Sequence, residues 1–260
     1  MKKTITLILV LLLPVLVCGQ GKIYTKKTRL SAYVSKTTKV VLPGNTVMDA
    51  LLLEEIPHLW TLTPYEFCSE EEYDRLREQP GYYFLRFVRV SGEEQTPGLL
   101  YLDLSQGGNA DRESLDAAFD IIQIPFASSE VKMLTPLEAA LVPAMIDIVQ
   151  QYVIEASSSA VAATAGLSWY HRKPALGNDG ILTVSAEAGT AALMLEEGRE
   201  DAAVAVIVGP REKDRKARYY HMVIGAGNHK LYSCNVVKGG SEFSASELRL
   251  FSSFSDGTGD

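Results

Sequence analysis

The sequence predicts an α/β (α+β) protein built as two small mixed-sheet units with covering helices, joined by a long buried helix. Three observations predict it. Short β-type runs alternate with capped amphipathic helices through the first half. A segment from Thr135 to Ala156 is apolar on most of its sides, which marks a helix buried on most of its sides. The region after Gly180 then repeats a strand, helix, strand order in shorter form.

The first unit is placed at 39–127. Lys39 to Leu42 is a short β-type run, and Pro43-Gly44-Asn45 is a turn cluster that ends it. A helix follows, with Asn45 or Thr46 as N-cap and Val47, Met48, Leu51, Leu52 and Ile56 on one face. Pro57 is expected to stop it, and Trp60 to Phe67 reads as a second strand, parallel to the first across a crossover. Ser69-Glu70-Glu71-Glu72 is a capping box that opens a surface helix reaching about Gln79. Its three glutamates are explained by the helix dipole without invoking a site. Tyr82 to Val90 is apolar on both faces, as a central strand is, and Leu99 to Leu104 returns as its hairpin partner. Phe119 to Phe126 closes the unit.

The joining region is placed at 128–180. Thr135, Pro136 and Glu138 supply N-cap, N1 and N3 of the long helix, with Pro143 expected to kink it. Ser157 to Gly180 is taken as connector. The second unit, 181–254, reads as strand Ile181–Ser185, helix Gly189–Glu197, and strands Ala202–Val208, Ala217–Ile224 and Lys230–Val237, with a short closing segment and a frayed tail at 255–260. Ala50-Leu51-Leu52-Leu53-Glu54-Glu55 lines up with Ala192-Leu193-Met194-Leu195-Glu196-Glu197. The match fits either a duplicated αβ unit or two unrelated Leu/Glu-rich helices. Two units predict two modest cores.

The address is read from the first residues. Met1-Lys2-Lys3, the apolar run Ile5 to Val17 and the small residues before Gln20 predict a secretory signal peptide over 1–19. Its apolar run is short for a membrane span. A rival reading makes Cys18 the lipidated cysteine of a membrane-anchored lipoprotein, against which Val17 is bulky for such a site. Residues 20–38 form a basic arm carrying Lys22, Lys26, Lys27, Arg29 and Lys36. The expected location is therefore periplasmic or extracellular, with a membrane partner only if Cys18 is lipidated.

Chemistry is sparse. The chain lacks a Gly-x-Ser-x-Gly elbow, His-Glu-x-x-His, a phosphate loop and a dinucleotide fingerprint, and no cofactor is expected. A formal net charge of −7 gives no basis for nucleic-acid binding. Ser129 and Lys132 satisfy Ser-x-x-Lys, the spacing at which a lysine can deprotonate a serine nucleophile, and they are the least unlikely catalytic residues. His221 and His229, predicted on neighbouring strands, are the least unlikely metal ligands, although no acid is placed beside them. Cys68 and Cys234 are a candidate disulfide, with two separate buried thiols as the alternative. The mixed-sign loop Arg211 to Lys216 reads as a hairpin tip more readily than an anion site. Trp60, Tyr65, Tyr82, Tyr83, Tyr101, Trp169, Tyr170, Tyr219 and Tyr220 are candidate stacking surfaces for a glycan or peptide, or simply packing.

The leader ending in Gly19-Gln20, followed by Trp60-Thr61-Leu62-Thr63-Pro64-Tyr65-Glu66-Phe67, Glu71-Glu72-Tyr73 and Tyr82-Tyr83-Phe84-Leu85, resembles a group of uncharacterised secreted bacterial envelope proteins. The resemblance implies an envelope or extracellular setting and no activity. The sequence expectation is thus a non-enzymatic envelope protein that binds a protein or glycan partner. Two alternatives stand beside it: a secreted hydrolase with its site between the two units, and a lipid-anchored envelope-assembly subunit.

Overall fold

The computed structural model describes residues 30, 33–90, 98–108, 120–130, 133–171 and 182–251. The signal peptide with Cys18, most of the basic arm, Lys132 and the 255–260 tail lie outside the described residues.

Five strands, β1 (Thr37–Leu42), β2 (Tyr65–Ser69), β3 (Tyr82–Val90), β4 (Leu99–Gln106) and β5 (Asp120–Ser128), form the first sheet in the order β2-β1-β3-β4-β5. β1 is parallel to both β2 and β3, while β3, β4 and β5 run antiparallel in succession. The crossovers are helix α1 (Thr46–Leu59), on one face of the sheet, and α2 (Glu70–Leu76), on the other. The second sheet, in the order β6-β7-β8-β9, contains β6 (Thr183–Ser185), β7 (Ala202–Val208), β8 (Arg218–Gly225) and β9 (Leu231–Lys238). Only its β6–β7 pair is parallel. Both sheets are therefore mixed, as the α/β (α+β) reading requires.

The long helix α3 (Pro136–Ser158) is opened by the capping box of Thr135 and Glu138. Leu141, Met145, Ile148 and Tyr152 are buried on one stripe, and Val142, Ile146, Val149 and Val153 on another. With two stripes to bury, the helix needs apolar surface on several sides, and it finds α1 and β5 in the first unit and helix α5 (Ala188–Glu196) in the second. One continuous apolar cluster results, running from Val40 and Leu85 through α3 to Val204 and Met222. The expectation of two separate cores is thus corrected. A single helix buried on both sides fuses them.

Each sheet has a second, smaller apolar face. Behind the first sheet, α2 sets Tyr73 against Phe84, Val41 and Cys68. Behind the second, the segment carrying α6 (Ala245–Arg249) covers Ala203, Ala205, Val223 and Tyr232 with Phe243, Leu248 and Phe251. The matched Ala50–Glu55 and Ala192–Glu197 blocks fall on α1 and α5, each the crossover between two parallel strands.

Some local expectations fail for physical reasons. α1 passes through Pro57 and ends at Leu59, because a proline in the last turn removes only one bond near the helix end. Trp60 to Thr63 is a turn and not strand: the Trp60 indole donates to Thr63 Oγ1 at 3.1 Å, and Gln150 of α3 takes the Thr61 and Leu62 N–H groups that a ladder would have used. The surface helix stops at Leu76, short of Gln79. The connector is partly helical, with α4 (Ala160–Ala165) and a 3-10 turn at Gly166–Tyr170. Within the basic arm, Tyr33–Ser35 is a 3-10 turn.

Candidate functional site

The surface feature with the clearest sequence origin lies at the start of α1. Gly44 takes φ 71° to turn the chain out of β1, and the Asn45 side chain accepts from the Val47 and Met48 N–H groups. That cap fixes the first turn so that Met48 points into the core while Val47 stays 52% exposed. Across from it stand Phe87 and Arg89 of β3, Leu100 of β4, and Met133 and Leu134 just before α3. Together they enclose a groove of about 290 Å³. Met133 is 79% exposed, an uncommon position for a large apolar side chain. Glu70 borders the groove, and Arg89 donates from Nη1 to the Ser129 carbonyl at 3.1 Å.

A second cleft, of about 350 Å³, lies between the sheets. Its walls are the end of β5, the first turns of α3, and the end of β7 with the loop that follows. Its loop is stiff. The Tyr219 hydroxyl accepts from Asp214 N–H at 2.9 Å, and a Cβ on Gly209 would fall 2.2 Å from the Tyr219 ring. Lys213 pairs with Glu242 at 2.7 Å, both well exposed. The loop is the soluble tip the sequence suggested, though Arg211 and Lys213 also edge the cleft.

Ser129 is half-buried, and its backbone N–H donates to Gly98. Its Ser-x-x-Lys partner, Lys132, lies outside the described residues. Ser128, not Ser129, lines the cleft.

The histidine expectation is corrected. His221 pairs in register with Asn235, not with His229, and the two imidazoles are claimed by different acids. His221 Nδ1 lies 2.9 Å from Glu247 Oε1 of α6, and its Nε2 lies 2.6 Å from the Gly240 carbonyl. Burial works against the Glu247 carboxylate, but Ser244 and His221 outweigh it and hold its pKa below the ordinary range. His229, at φ 51°, donates from Nδ1 to Asp147 Oδ2 of α3 at 2.7 Å. Asp147 Oδ1 in turn accepts from Gln150 Nε2 at 3.1 Å. Glu55 lies close enough to sense Asp147, His58 and His229, and burial, then Glu54, push its carboxyl up. Among the described residues no three His, Cys, Asp or Glu side chains group as a metal site.

The sequence reading missed Asp147, Gln150 and Glu247. A signal existed for the first: an acid midway along a helix apolar on most sides needs a partner.

Both cysteines are free and buried, so no bridge joins the units. Cys68 packs under α2 and Cys234 in the shared core. Burial pushes the thiols up to about 11 and about 12 respectively, leaving neither reactive near neutral pH. The nominated aromatics are all buried or half-buried. Trp169 donates to Glu155, and Tyr101 meets Tyr220 hydroxyl to hydroxyl at 3.2 Å.

Comparison of the chain with protein families, with curated proteins and with solved structures returns no match.

Proposed function

We propose that the protein is a secreted envelope protein without catalytic activity that binds a protein partner through the groove beside α1. The observation that carries this reading is the pair Val47 and Met133, large apolar side chains left in solvent on α1 and on the segment before α3, around one groove. Apolar side chains gathered this way mark recognition of another apolar surface. The burial of the aromatics favours a protein over a glycan, which would need exposed rings to stack on. The leader read in residues 1–19 supports the envelope address. Of the histidines, His221 and His229 are spent on tying structure together.

The test is co-purification from the envelope of the host, comparing the native chain with the double variant Val47→Glu, Met133→Glu. The reading predicts a stoichiometric protein partner with the native chain and a loss of about 2 kcal/mol or more of binding in the variant. Both positions are exposed, so the variant is expected to fold. A partner retained at full strength would move the interface elsewhere, and no partner at all would remove the reading.

A further inference from the structure

The C-terminal segment from Gly239 to Phe251 crosses the outer face of the second sheet and covers its apolar side chains with Phe243, Leu248 and Phe251. We propose that this segment is a strap fastened by the protonated form of His221, and that it loosens from the sheet when His221 loses its proton.

The argument is one of donors and acceptors. His221 is 2% exposed on β8. Nδ1 faces the Glu247 carboxylate at 2.9 Å and Nε2 faces the Gly240 carbonyl at 2.6 Å, so both ring nitrogens look at oxygens that only accept. An imidazolium carries two N–H donors and satisfies both. A neutral imidazole carries one, and whichever nitrogen loses its proton then presents a lone pair to an oxygen at hydrogen-bonding distance.

The close approach is built into the chain. A Cβ on Gly240 would fall 2.4 Å from Val237 Cγ1 and 3.1 Å from His221 Nε2, so glycine lets the carbonyl reach the ring. Phe243 lies against the imidazole with centroids 4.6 Å apart.

Glu247 is the titratable group that faces His221, and it comes from α6. The opposing positions on the neighbouring strands are Ile207 of β7 and Asn235 of β9, neither of which titrates. Lys213 and Glu242 tie the strap at its solvent side. The Glu247 pKa is lowered, so its contribution is present above the ordinary glutamate value and is lost only as the pH falls through the lowered one. The tie through His221 has the opposite sense. It holds while both ring nitrogens carry protons to donate, and is lost as rising pH removes one of them.

Hydrogen exchange of residues 239–251 on the full chain, corrected for the intrinsic pH dependence of exchange, tests the strap. As the pH is raised from about 5 to about 8, the strap's protection should fall severalfold. In His221→Phe, which keeps a ring against Phe243, protection should be low and independent of pH over the same interval. Unchanged protection in the native chain, or a native pH response in the variant, would overturn the proposal. Should the variant fail to fold, imidazole nitrogen NMR on the native chain decides. Protons on both His221 nitrogens while the strap is protected support it, and a single neutral tautomer throughout overturns it.

Discussion

Gln150 is the side chain at which the two halves of the protein meet. Its Oε1 accepts from the Thr61 and Leu62 N–H groups at 2.8 and 3.2 Å, and its Nε2 donates to the Leu59 carbonyl and to Asp147. Asp147 carries the chain of bonds on to His229, at the β8–β9 turn, and neighbouring Gln151 donates to the Asn228 carbonyl there. One helix face thus pins a turn of the first unit and a turn of the second. Replacing Gln150 by Leu keeps the volume but orphans buried backbone groups, each worth about 1–3 kcal/mol. We expect Gln150→Leu to lower unfolding free energy by about 2 kcal/mol or more in denaturant titration. The sequence drew attention to His221 and His229 but not to their acids, because Glu247 and Asp147 lie 26 and 82 positions away along the chain. No local pattern encodes such a pairing.

At the scale of the element, the features read correctly from sequence were those governed by neighbours a few residues apart. The Thr135 and Glu138 capping box forms as its spacing implied, with Thr135 N–H donating to the Glu138 carboxylate at 2.6 Å. Thr135→Ala should therefore cost about 1 kcal/mol, read as a shift in the unfolding midpoint. The expected order of strands and helices in the first unit, and the β6-to-β9 succession in the second, also hold. What failed was decided by tertiary partners. Trp60 to Thr63 has the alternating composition of a strand, yet Gln150 captures its N–H groups from across the core. The Ala- and Ser-rich connector has little amphipathic signal, and α4 draws its order from packing, with the Tyr152 hydroxyl donating to the Ala162 carbonyl.

For the molecule as a whole, the decisive fact is that α3 is shared. Its buried residues belong to one cluster with strands of both sheets, so neither unit has a complete core without it. Unfolding should accordingly be a single cooperative transition, with coincident curves from tryptophan fluorescence and far-UV circular dichroism. Two separated transitions would restore the picture of two independent cores. The alternation of β-type runs with capped helices was enough to foresee an α/β chain, whereas the fusion of the cores depended on which faces of α3 met which sheet.

Recognition of a partner through the groove beside α1 is the central claim at this scale, and proximity labelling tests it most directly. A photo-crosslinking amino acid placed at Met133, with a second chain labelled at exposed Leu193 as control, would be activated in cells of the host. The account predicts one discrete protein adduct from position 133 and none from position 193. Equal labelling from both positions, or no adduct at 133, would contradict it.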